Sequence, residues 1–158
     1  MEVRSPGRGR LGAAIALLLM ALLIAAFIPA RSAAAPERTG RRMQMLGLTN
    51  EARVTHERQA LGFAARLSRY AKQHSREMAE AGYLSHSTAD ELRQALVGYD
   101  WELGGENIGV GGSLESLQDA FMASKPHRQN ILRKVYDHAA VGIVRADGRI
   151  WVTVIFYG

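Results

Sequence analysis

The chain contains no cysteine, and that absence closes several routes at once. It excludes disulfides, a thiolate nucleophile, thiolate zinc sites and a lipidated N-terminal cysteine. Two catalytic patterns are also missing: HExxH, which sets two zinc ligands one helical turn apart, and the GxSxG elbow that presents a serine nucleophile. A basic cluster is lacking too. The formal charge is +5, but Arg4, Arg8, Arg10 and Arg31 against Glu2 supply +3 of it within the first 35 residues. Residues 36–158 hold 16 basic and 14 acidic side chains, so no nucleic-acid partner is expected. No internal repeat is visible.

What remains is an ordinary globular composition, 47% hydrophobic and 22% charged over 158 residues. That suffices for one domain with its own core behind a leader. Residues 1–35 read as a signal peptide or signal anchor: Arg4, Arg8 and Arg10 precede the uncharged run 11–30, and Arg31 closes it. Twenty residues rising about 1.5 Å each match a hydrocarbon core of roughly 30 Å. The small residues Ser32 to Ala35 also suit cleavage after Ala34. Either way the arginines keep the N-terminus inside and send the domain out. The expected location is extracellular or at the cell surface, with a membrane contact through the N-terminal helix if it is uncleaved.

Residues 36–42 read as a polar linker and 43–158 as the domain. A first helix is predicted from Met43 to about Arg58, with Met43, Leu46, Asn50 and Val54 as its stripe. A second runs from about Ala65 to Ala81 on Leu67, Tyr70, Ala71, His74 and Met78, and Gly82 stops it. His74 on that apolar face reads as a hydrogen-bonded core histidine rather than a ligand. Ser87 or Thr88 caps a short helix over 89–97, leaving His86 just outside. Ser113 caps a helix from Leu114 to about Ala123 that buries Leu114, Leu117 and Phe121. Pro126 opens another, with His127, Arg128 and Asn130 at its start. The chain ends in a hairpin, 139–144 and 149–157, turning at Ala146-Asp147-Gly148. Both faces of its last strand are apolar, which predicts a sheet covered on both sides. The fold class is therefore α+β, a three-layer α/β/α sandwich.

The stretch from Gly104 to Gly112 stands apart. Five of its nine residues are glycine, which reads as a flexible loop rather than a strand interior. Within it lie Glu106, Asn107 and Ile108, the last placed to pin the loop to a core. The expectation is that Glu106, His86 and His127 converge on one cleft. A glycine-rich turn with a solvated glutamate is the alternative.

These residues resemble a known family. Thr49-Asn50-Glu51-Ala52-Arg53, Tyr83-Leu84-Ser85-His86-Ser87, Gly105-Glu106-Asn107-Ile108, Ser124 to Leu132 and Val141-Gly142-Ile143 follow one another as in a CAP domain. That superfamily comprises cysteine-rich secretory, antigen 5 and pathogenesis-related 1 proteins; this chain is similar to its short bacterial, cysteine-free form. The resemblance implies a cleft lined by two histidines and two acids that holds zinc or calcium. His86, Glu106 and His127 match three members as metal residues, while the second acid falls at about Ser124. Asn107, Ser124, Arg128 and Asn130 would support the cleft. Most such domains have no agreed catalytic activity and several bind lipids or proteins. The resemblance thus favours a binding module for a small ligand, lipid, glycan or protein partner of the envelope. The other reading is a metal-assisted hydrolase of an envelope peptide or glycan, since two imidazoles and a carboxylate are the composition of hydrolytic zinc sites.

Overall fold

The computed structural model describes residues 34–158. The apolar run 11–30, with the signal or anchor read there, lies outside them. Among the described residues no helix is long and apolar enough to cross a membrane.

Among the described residues, five helices and four strands follow in the order α1 (Ala34–Thr55), β1 (Gly62–Phe63), α2 (Ser68–Ala81), α3 (Ala89–Ala95), β2 (Gly104–Gly111), α4 (Leu114–Ala123), α5 (Lys125–Ile131), β3 (His138–Ala146) and β4 (Arg149–Tyr157). The helix stops and starts follow local chemistry. Gly82 closes α2 in the left-handed region at φ 76°, its N–H returning to the Met78 carbonyl. Thr88 with Glu91, and Ser113 with Ser116, form reciprocal caps on α3 and α4. Residues 36–42, read as a linker, are helical here. Pro36 falls in the first turn of α1, where its missing N–H has no intrahelical use.

The sheet order is β1-β3-β4-β2. Strands β3 and β4 are antiparallel across a two-residue turn in which Asp147 (φ 50°) and Gly148 (φ 71°) are both left-handed. β2 pairs antiparallel with the other side of β4, and β1 adds a short parallel pairing to β3. The chain's last strand is therefore an interior strand. Its alternate residues serve two cores. Ile150, Val152, Val154 and Phe156 pack with Met45 and Leu46 of α1, Leu114, Leu117 and Phe121 of α4, and Ile131 of α5. On the opposite face Ile155 and Tyr157 meet Leu67 just before α2, Ala71 of α2 and Leu96 beyond α3, while Trp151 packs with Met78 and Ile108. Burying each such side chain is worth roughly 1.5–3 kcal/mol. Helices thus cover both faces.

The glycine-rich stretch is a strand, which corrects the expectation of a loop. Its glycines make room for the helices laid against it. A Cβ at Gly104 would stand 2.7 Å from Leu96 Cδ1, and at Gly109 3.0 Å from Phe121 Cε1. One at Gly105 would meet the Tyr136 hydroxyl at 2.5 Å. Close packing, not flexibility, explains the composition.

Candidate functional site

Glu106 faces α2 from β2, with 4% of its side chain exposed. A buried carboxylate needs donors, and the segment between α2 and α3 supplies them. Oε1 accepts from the Ser87 N–H at 3.0 Å and from His86 Nδ1 at 2.8 Å. Oε2 accepts from Ser87 Oγ at 2.7 Å, and the Tyr70 hydroxyl donates to that same Oγ at 3.1 Å. His74, half-buried on α2, donates from Nε2 to the Ser85 carbonyl at 2.8 Å and stands 3.8 Å from Glu106 Oε2. It holds the His86 segment in place, as a hydrogen-bonded histidine on the apolar face would.

The consequence for His86 is a fixed tautomer. A carboxylate accepts, so Nδ1 carries a proton, and whenever the ring is neutral Nε2 is the acceptor nitrogen. The imidazole is 56% exposed. Glu106 acts by orienting its neighbour.

His127 arrives from the other side of the sheet, in the first turn of α5. Two asparagines weld that helix to β2. Buried Asn107 donates from Nδ2 to the His127 carbonyl at 3.1 Å. Asn130 donates to Asn107 Oδ1 at 3.0 Å and to the Glu106 carbonyl at 3.1 Å. The His127 ring lies against Phe121, centroids 5.1 Å apart. Burial, followed by repulsion from His86, pulls its pKa below the ordinary histidine value. His127 therefore favours the neutral ring.

Of the supporting residues named from the sequence, Asn107 and Asn130 belong to this network. Arg128 turns away, donating to the Met122 carbonyl at 2.6 Å, and Ser124 is the junction where α4 ends and α5 begins. Ser87, one of two candidate caps in the sequence, leaves the cap to Thr88 and serves Glu106 instead; nothing in the sequence distinguishes Tyr70 from the rest of its core stripe.

The donors present do not make the zinc or calcium site that the resemblance implies. Glu106 aims both oxygens at Ser87 and His86. What remains is two imidazoles, fewer than the three protein ligands of a catalytic zinc, and no carboxylate for calcium, which takes six to eight oxygens. Among the described residues no group of three His, Asp or Glu side chains stands where it could hold a metal ion.

Comparison with known proteins agrees with the architecture. The model of the CAP, cysteine-rich secretory protein family matches residues 46–156. The chain belongs to that family. An uncharacterized protein of Bacillus subtilis, YkwD, is 31% identical over 115 residues, covering 68% of this chain and 44% of its own. An uncharacterized membrane protein of the same organism, YlbC, is 33% identical over 111 residues, covering 65% and 31%. The solved structure of an extracellular protein containing an SCP domain from Bacillus anthracis superposes with a TM-score of 0.64 at 28% identity, over 76% of this chain and 41% of that one. The chain spans less than half the length of these relatives.

Proposed function

We propose that this chain is an exported binding module of the cell envelope whose cleft, between His86 and His127, captures a ligand by hydrogen bonding. One observation carries the reading: both Glu106 oxygens are engaged in orienting His86, whose side chain is 56% exposed. An imidazole held with its proton on Nδ1 can accept from a ligand at Nε2 without requiring a metal. The extracellular relative from Bacillus anthracis and the basic residues before the apolar run 11–30 support export. The hydrolase alternative has less to stand on. Ser87 Oγ is committed to Glu106 and Tyr70, so it is not poised against a free base.

The test uses the full chain with three probes: peptidoglycan fragments, anionic phospholipid vesicles and a pool of short peptides. Stoichiometric retention of one probe, lost in His127→Ala, is the expected result. Product accumulating with time would overturn the reading in favour of an enzyme.

A further inference from the structure

A cavity of about 230 Å³ lies between α1, the β2–α4 junction and the β3–β4 hairpin. It is separate from the histidines. Gly111, beside the cavity, is five residues beyond Glu106 on β2, about 17 Å at the rise of a strand.

The register of the hairpin builds its floor. Arg145 and Ile150 are direct partners across β3 and β4, so both side chains stand on the face that α1 and α4 cover. Ile150 is buried there with Leu114. Arg145, closer to the turn, passes beyond that core and is exposed. Among the described residues it has no hydrogen-bond or ion-pair partner. A second guanidinium, Arg41, lines the cavity from α1. Gly112 leaves one wall bare, since a Cβ there would meet nothing within 4 Å.

One carboxylate also lines the cavity, and it is already engaged. Gln44 Nε2 donates to Glu115 Oε1 at 2.7 Å, tying α1 to α4. The Glu115 backbone N–H, then Ser113, hold that carboxyl below the usual carboxylate range. The first turn of α4 thus has its own anion, and attraction for another comes from the arginines. Two guanidiniums against one carboxylate leave a surplus of one positive charge. A monocarboxylate balances it and matches the guanidinium fork, whereas a phosphate monoester carries about −1.5 to −2. The volume falls below the roughly 300–1,000 Å³ of sites for drug-sized ligands, so the occupant is small.

We propose that this cavity binds a small monocarboxylate, its charge on Arg41 and Arg145 and a compact apolar body over Leu114 and Ile150. A free acid and the C-terminal residue of a peptide share that chemistry. The site is independent of the histidine cleft, so either can fail without the other.

The probe is N-acetylvaline titrated into the full chain, with N-acetylvalinamide as its uncharged match. The amide should bind at least about tenfold more weakly, the worth of one charge-assisted hydrogen bond. That comparison uses unaltered protein and does not depend on how any variant folds. Arg145→Gln should weaken binding of the acid as much, and Arg145→Lys should restore only part, lacking the fork. His127→Ala should bind the acid like the wild type, and inorganic phosphate should not displace it. Acetyl-Gly-Gly-Val with a free C-terminus separates the sources: equal binding assigns a peptide end, and binding of N-acetylvaline alone assigns a free acid. Equal binding of acid and amide, no change in Arg145→Gln, or loss in His127→Ala would overturn the proposal. So would displacement by phosphate, or no binding of the acid at all.

Discussion

Arg53 and Glu106 are both ionisable residues withdrawn from water, yet the fold uses them in opposite ways. Arg53 is fully buried on α1. It donates to the carbonyls of Gln59, Ile131, Arg133 and Tyr136 at 2.7 to 3.0 Å. Two of these lie at and just beyond the C-terminus of α5, where unpaired carbonyls need donors. Among the described residues no acid accompanies it, and burial, then Arg58, pulls its pKa down. Its partners there are all main chain, so it acts as a clamp. Glu106 is anchored as firmly, but one partner, His86, opens to solvent. Polar burial that ends on backbone is structural, while polar burial that ends on an exposed imidazole prepares a site.

Breaking the clamp should have the larger effect. Arg53→Leu leaves four carbonyls without their donors, and each buried acceptor left unsatisfied costs about 1–3 kcal/mol. Urea denaturation should show that loss. Arg53→Lys should recover little, since an ammonium cannot span the fork. Glu106→Gln places an amide N–H₂ where an acceptor is needed, against Ser87 or His86. The expected loss is about 1–3 kcal/mol, accompanied by loss of ligand retention.

A smaller effect follows from His127. Its pKa lies below the unfolded value, so the folded state prefers the neutral ring. That stability is fully present above about pH 6.5 and is lost as pH falls through the folded His127 pKa. Denaturation midpoints between pH 7.5 and 5 should fall more steeply for the wild type than for His127→Phe. Parallel profiles would show that His127 is not the group responsible. Smallest of all, His86→Ala should change stability by less than about 0.5 kcal/mol because the ring is exposed. It should nonetheless abolish retention of the ligand, which separates site from scaffold.

The sequence shows the second cluster more readily than the first. His86, Glu106 and His127 stood out because polar residues beside glycines and helix starts are conspicuous. The stripe on α2 and the two apolar faces of β4 were equally legible from their periodicities. On α1 the expected stripe included Met43 and Val54, which are 44% and 62% exposed. Thr49 and Arg53 are buried instead. A pattern of apolar residues cannot reveal an arginine whose burial is sustained by carbonyls from distant parts of the chain. The glycine strand failed for a related reason: the room its glycines leave is filled by Leu96, Leu117, Phe121 and Tyr136, and none of that is visible locally. The role of Glu106 was hidden too, since spacing places it near His86 without telling a ligand from an orienting residue.

The most direct test is the protonation of the His86 ring. In ¹⁵N-labelled, metal-free protein, the account predicts that the neutral form of the ring carries its proton on Nδ1, shifting toward a tautomer mixture in Glu106→Gln. A proton on Nε2, or no change on that substitution, would contradict the claim that Glu106 prepares His86 for a ligand.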